Sequence, residues 1–186
     1  MTAASSRRFP RSPRLLAPLV FVTLTACGPR LTAPLAEACV DWPTASTFAL
    51  SSAGVFFGFG LLFGAWRYAC MARSEDAQAP LYVDIAHRAA LLYAFACMLL
   101  AQLCAVSAWS DAVNLAAAIV LVLYFALAVF AYAVHGALRD TDNQLKRPHR
   151  LGARTIGDRV MRGFMFSLIG AEVGAFLVIL SGYLAA

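Results

Sequence analysis

Charged residues are scarce in this sequence and are missing from its longest apolar runs. Asp, Glu, Lys and Arg make up 13% of 186 residues, whereas apolar residues make up 61% and the mean hydropathy is +0.72. No charged residue lies between 89 and 109 or between 112 and 136. A helix of a soluble domain needs a polar face toward water, so these runs exclude an ordinary soluble globular domain.

Motifs of familiar enzymes are also missing. The sequence has no nucleophile elbow, phosphate-binding loop, HExxH motif or pair of intramembrane carboxylates, which argues against a hydrolase or a kinase. Its five cysteines form no CxxC pair and have no spacing typical of a metal site. We therefore expect no cysteine-based metal centre and no enzyme of these classes.

Four apolar runs are each long enough to cross a bilayer as a helix. The hydrocarbon core is about 30 Å thick and a helix rises about 1.5 Å per residue, so roughly 20 residues suffice. We therefore predict an all-α membrane protein, a four-transmembrane-helix bundle that forms one domain over residues 48–186. The predicted spans are 48–68, 87–109, 112–136 and 161–185.

The basic residues predict how the bundle is oriented. Of 15 Lys and Arg residues, only Arg30 lies in a segment that we place outside, and cytoplasmic loops of membrane proteins carry an excess of such residues. The loops before the second and fourth spans are therefore predicted to be cytoplasmic, with both termini outside a bacterial inner membrane. The same placement makes the lipid bilayer the expected partner and disfavours nucleic acid.

The N-terminal segment has the pattern of an export signal. A cluster of arginines precedes an apolar run that is short for a membrane span. The run ends in LTAC, residues 24–27, which resembles the lipobox of bacterial lipoproteins. This resemblance implies removal of residues 1–26, lipidation of Cys27 and an external linker over 27–47. The open alternatives are an uncleaved anchor, ordinary cleavage near residues 36–38 and a start codon assigned too early.

Two histidines lie at the predicted cytoplasmic ends of spans two and three. Asp111 is 24 residues after His87 and 24 before His135, so an antiparallel hairpin returns both histidines to one depth. Two histidines at one depth can ligate a haem or a metal, or flank a quinone headgroup. Tyr124 would then line the path from this site into the bundle. Both residues also sit at the span edge, where histidine is commonly an interfacial polar residue. The polar cluster predicted at this end comprises Asp84, His87, Arg88, His135, Arg139 and Asp140.

Span four combines one deep carboxylate with a stripe of small residues. Glu172 is the only charged residue well inside a span, and a carboxylate there is costly unless it is neutralised or paired. We predict either a proton-carrying role or a structural hydrogen bond, with Tyr124 as the candidate partner. The stripe lies on the opposite face and consists of Gly163, Ser167, Gly170 and Gly174. Span one has a similar set, Gly54, Gly58, Gly60 and Gly64.

Two functions fit these features. Small-residue faces let helices approach closely in lipid, so the favoured hypothesis is a structural, assembly or partner-binding bundle that forms a homo-oligomer or joins another membrane protein. The alternative is a membrane redox or cofactor-binding protein that uses His87 and His135 at the cytoplasmic interface, with Glu172 as a proton carrier. The first hypothesis is favoured because it requires no cofactor.

Overall fold

The computed structural model describes residues 42–186, which form four long helices and one short hairpin. The lipobox motif with Cys27, the predicted cleavage sites and most of the predicted linker lie outside these residues. The helices are α1 (Thr44–Met71), α2 (Leu81–Ala105), α3 (Asp111–Leu138) and α4 (Asp158–Leu184). Between α3 and α4, β1 (His149–Leu151) pairs antiparallel with β2 (Arg154–Ile156).

All four helices are long and apolar enough to cross a membrane. They contain 25 to 28 residues each, which confirms the predicted all-α bundle of four transmembrane helices. Helix α2 starts directly after Pro80, whose carbonyl accepts hydrogen bonds from the first turn. It ends at Ala105, four residues before the predicted end, because the chain turns through residues 106–110 before α3 begins.

The core lies among α1, α2 and α3 and is built mostly from small residues. A face of small residues on α2 is buried: Ala90, Ala94, Cys97, Ala101 and Cys104. Small side chains let the helices approach closely. A Cβ placed on Gly60 of α1 would lie only 2.5 Å from Leu91 Cδ2 on α2. Larger side chains fill the centre, where the Tyr93 ring stacks on Phe125 with 4.2 Å between ring centroids.

One face of α3 is also turned inward. Ala117, Leu121, Ala128 and His135 are buried, whereas Tyr124 and Ala131 are half-buried. Gly136 follows His135, and a Cβ there would lie 3.0 Å from the backbone nitrogen of Val83. The backbones of α2 and α3 therefore touch at this point.

Three segments meet at one end of the bundle, which we call the turn end. The Asp111 carboxylate accepts hydrogen bonds from the backbone N–H groups of Thr44, at 3.1 Å, and Ala45, at 2.9 Å. Trp109 Nε1 donates to Ser181 Oγ at 3.1 Å. The start of α1, the α2–α3 turn and the end of α4 therefore lie together. The loops over residues 72–80 and 139–157 lie at the opposite end, the hairpin end.

Helix α4 is the most loosely packed helix of the described bundle. Only Ile179 and Gly182 among its residues are buried. The Gly182 carbonyl accepts the Ala108 N–H at 2.9 Å, and a Cβ on Gly182 would collide with Ser107 and Trp109. The helix is thus anchored tightly at the turn end and leaves most of its surface uncovered.

The β-hairpin was not expected from the sequence, which predicted only α-helices for this domain. Helix α3 ends at Leu138, and Arg139 adopts a left-handed conformation with φ of 51°. The strands are joined by the two residues Gly152 and Ala153, and Gly152 has φ of +60°. A positive φ at the first turn residue suits glycine and matches a type II′ hairpin turn.

Candidate functional site

Asp84 joins α1 and α2 near the hairpin end. Its carboxylate lies 2.6 Å from Arg67 Nε on α1 and 2.9 Å from Arg88 Nε on α2. The arginine side chains are 40% and 64% exposed, so solvent screens both pairs and each stabilises the fold by about 0–1 kcal/mol. The sequence predicted Asp84 and Arg88 as neighbours but assigned no role to Arg67.

His87 packs against α1. Its Nδ1 lies 2.8 Å from the Gly60 carbonyl oxygen, and since a carbonyl only accepts, Nδ1 carries the proton in this contact. A Cβ on Gly64 would lie 3.0 Å from His87 Cε1. The imidazole therefore fills a slot that exists because position 64 is glycine.

His135 is buried and engages the chain that follows α3. Its Nδ1 lies 2.8 Å from Asp140 Oδ1, and its ring packs on Tyr82 with 5.2 Å between centroids. Asp140 Oδ2 accepts the Gly152 N–H at 2.5 Å. Asp140 thus ties the end of α3 to the turn of the β-hairpin.

The Asp140 carboxyl is stabilised in its charged form. Burial by itself would raise its pKa, but the hydrogen bonds from the Gly152 amide and from His135 outweigh that effect and hold the pKa below its ordinary value. The carboxylate is therefore ionised at neutral pH.

The two histidines lie at the same end of the bundle, the hairpin end, but their rings have different partners. His87 contacts α1, whereas His135 contacts Tyr82 and Asp140. The predicted polar cluster divides accordingly into an Asp84–Arg88 group and a His135–Asp140 group, and Arg139 is exposed. Cofactor ligation by the two histidines stays a prediction. Within residues 42–186, no three His, Cys, Asp or Glu side chains are grouped to hold a metal ion.

His149 is a buried histidine that the sequence analysis did not single out. It is 6% exposed, its Nδ1 lies 3.2 Å from the Gln144 carbonyl oxygen, and its Nε2 lies 3.6 Å from Asp158 Oδ1. The Gln144 N–H in turn donates to Tyr82 Oη at 2.6 Å. These contacts fold a polar segment back onto the helices. Its sequence carries no apolar periodicity, so nothing there indicated burial.

Glu172 lies on the inward face of α4 and is half-buried. Its Oε1 is buried and has no hydrogen-bond partner within residues 42–186. Tyr93 on α2 and Tyr132 on α3 lie within electrostatic range of its carboxyl. The predicted partner Tyr124 is half-buried and makes no hydrogen bond with Glu172 in the part of the chain that the structure describes.

The small-residue stripe of α4 lies on the opposite, outer face. Gly163, Ser167, Gly170 and Gly174 are all exposed. A Cβ added to any of the three glycines would meet no atom within 4 Å. On α1 the predicted glycine set divides, because Gly60 and Gly64 contact α2 whereas Gly54 and Gly58 are open.

An apolar groove of about 430 Å³ runs between α1 and α3. Five phenylalanines line it: Phe48, Phe56, Phe59, Phe63 and Phe130. His87, His135 and Tyr124 do not line it, so it is separate from the predicted cofactor residues. Its apolar surface suits lipid chains in a bilayer.

Fold and composition together define the class of the protein, a small multi-pass membrane protein built as a four-helix bundle. Comparison with known proteins adds no closer assignment, because no protein-family model, curated protein or solved structure matches the chain. Its function must therefore be argued from its own residues.

Proposed function

We propose that this protein is a structural membrane bundle that pairs with a second copy of itself through the outer face of α4. The observation that carries the proposal is the open stripe of Gly163, Ser167, Gly170 and Gly174. A glycine inside a helix costs about 0.5–1 kcal/mol relative to alanine, and packing within the described bundle does not require these three glycines. Glycines at these positions would let the backbone of another helix approach closely.

A second copy suits this surface better than a different partner. A small-residue stripe is self-complementary, since two identical stripes can meet across a two-fold axis. The stripe extends over residues 163–174, roughly 16 Å of helix. It carries no charge, and Glu172 points to the opposite face. Pairing there brings two backbones together without burying a carboxylate between the copies.

The loose packing of α4 supports the same proposal. Only two of its residues are buried, so most of its outer surface is available to another helix. In lipid, packing replaces the hydrophobic effect as the force that holds helices together. Pairing of two α4 helices would supply the contacts that the described bundle does not provide.

Cysteine crosslinking in native membranes tests this proposal. Gly170→Cys places a thiol on the stripe, and Ala175→Cys is the matched control on the half-buried inner face. Under mild oxidation we expect a product of twice the chain mass from Gly170→Cys, and no more than the wild-type background from Ala175→Cys. Equal products from both variants, or a product only with a different protein, would overturn pairing through this stripe.

One observation supports the alternative of cofactor binding. Each Nδ1 of His87 and His135 has an oxygen partner, and ligating histidines commonly use the other nitrogen while Nδ1 is held in this way. This alternative requires an absorption band or a bound metal in the purified protein that is lost in both His87→Ala and His135→Ala. Absence of both signals, or their survival in either variant, contradicts ligation of a haem or metal by the pair.

We also infer that both termini lie outside a bacterial inner membrane. The inference is supported by the concentration of basic residues at the hairpin end, which holds six Lys and Arg between 146 and 162. A reporter that is active only outside the cytoplasm should give signal when fused after Ala186. If only a reporter that is active in the cytoplasm gives signal at that position, the orientation is the reverse of the one inferred.

A further inference from the structure

A second pocket of about 370 Å³ lies at the hairpin end, between the chain around residues 145–149 and the first turns of α4. One side of it is polar and is formed by Arg147, His149, Asp158 and Arg162. The other side is apolar and includes Met165, Phe166 and Ile169. The pocket therefore joins a charged surface to an apolar one at the end of a membrane-spanning helix.

The polar side of this pocket carries a net positive charge. Asp158 is engaged by Arg147, at 3.3 Å between Nε and Oδ2, and by His149, at 3.6 Å between Nε2 and Oδ1. Arg162 has no carboxylate within 4.0 Å in the part of the chain that the structure describes. Two guanidinium groups thus face one carboxylate, and residues 146–162 contain six basic residues and one acidic residue.

The apolar side continues onto the outer surface of α4. Phe166 is 69% exposed and Ile169 is 52% exposed. Both lie one to two turns farther into the apolar span than Arg162. A molecule held at Arg162 can therefore extend along these side chains into the hydrocarbon region.

We propose that this pocket binds one anionic phospholipid, with its phosphate between Arg147 and Arg162 and an acyl chain along Phe166 and Ile169. Guanidinium groups match phosphate oxygens in geometry and charge. Basic pockets beside transmembrane helices are suited to anionic headgroups. Both halves of the pocket are used by an anionic phospholipid, whereas free phosphate would use only the polar half. This proposal does not rest on pairing through α4, because none of the four stripe residues lines the pocket.

Native mass spectrometry of the full chain in detergent tests the proposal. The probes are phosphatidylglycerol and phosphatidylcholine with identical acyl chains. We expect preferential retention of one phosphatidylglycerol and a loss of about fivefold in its retention for Arg162→Gln, the effect of one basic residue near a lipid surface. The matched control Arg159→Gln removes the same charge from a residue outside the pocket and should change retention less than about twofold. Equal losses of retention in both variants would indicate that the lipid is held by the overall positive charge of this segment and not by the pocket, and would overturn the proposal.

The apolar half has its own test. Phe166→Ser should weaken retention of phosphatidylglycerol, whereas Phe164→Ser alters an exposed phenylalanine outside the pocket and should leave it unchanged. Inorganic phosphate added at the lipid concentration should not displace the lipid. Displacement by phosphate, or equal retention of the two lipids by the wild-type chain, would contradict the proposal. Circular dichroism melting of each variant separates lost binding from lost folding.

Discussion

Gly136 lies at a close contact between α2 and α3. The atoms nearest to a Cβ at this position are Val83 Cγ2 and the backbone nitrogen of Val83, both at 3.0 Å. Backbone atoms cannot move aside as the end of a flexible side chain can. Gly58 has the opposite surroundings, since a Cβ there would meet no atom within 4 Å. The sequence alone does not separate these two kinds of glycine.

We predict that Gly136→Ala lowers the free energy of unfolding by about 1–3 kcal/mol, the usual cost of overpacking. Gly58→Ala adds the same methyl group to an open helix surface and should leave stability unchanged or slightly higher. Thermal unfolding of both variants in the same detergent measures the difference. Equal melting temperatures for the two variants would show that the backbones do not touch at Gly136.

Asp140 gives the hairpin end a predicted pH dependence. Its pKa is held below the ordinary value because Gly152 and His135 stabilise the carboxylate despite burial. A carboxyl whose pKa is lowered by folding adds stability above its unfolded pKa, about 3.9. That stability is lost as the pH falls through the lowered pKa of the folded chain.

We predict that Asp140→Asn lowers stability at neutral pH by about 1–3 kcal/mol, since an amide cannot accept both hydrogen bonds. The difference in stability from the wild type should start to shrink as the pH falls below the unfolded pKa of about 3.9, and should be lost as the pH falls through the lowered pKa of the folded chain. The control Asp142→Asn changes an exposed residue of the same loop and should have little effect. A difference in stability that stays constant from neutral to acidic pH would contradict the stabilising role of the Asp140 carboxylate charge.

The helices were the elements most accessible to sequence reasoning. Long apolar runs predict spans because each needs roughly 20 residues, and the 100° step per residue placed Glu172 opposite the glycine stripe of α4. The β-hairpin was missed because three-residue strands are too short to show alternation, although Gly152 and Ala153 between them form a recognisable two-residue turn. The ring contacts of His87 and His135 were inaccessible because they depend on how α1 and the hairpin pack.

Asp111 links two elements that are far apart in the sequence. Pro43, which precedes α1, provides no side-chain cap, and the free N–H groups of Thr44 and Ala45 bond to Asp111 instead. The first turn of one helix is thus capped by the first residue of another. Sequence reasoning placed Asp111 in a turn but had no means of finding its partners.

We predict that Asp111→Ala destabilises the start of α1, because the first turn of that helix loses its cap. Amide exchange in the first turn of α1 should accelerate, whereas exchange in the middle of that helix should not change. Asp76→Ala removes an exposed carboxylate from the loop at the other end and serves as the control. Unchanged exchange at Thr44 and Ala45 would show that the cap contributes nothing.

At the scale of the whole molecule, packing is uneven. Helices α1, α2 and α3 share a core of small residues, whereas α4 contributes two buried residues and turns its glycine stripe outward. The proposed pairing assigns the contact between copies to α4.

Counting copies in a bilayer tests this claim most directly. The full chain carries one fluorophore at its C-terminus, is diluted into liposomes, and is counted by photobleaching steps. We predict two steps for the wild type and for the control Gly54→Ile/Gly58→Ile, which alters open glycines of α1. We predict one step for Gly170→Ile/Gly174→Ile, because an overpacked interface loses about 1–3 kcal/mol, or about fivefold to a hundredfold in affinity. A wild type that bleaches in one step, or a stripe variant that still bleaches in two, would contradict pairing through the α4 stripe.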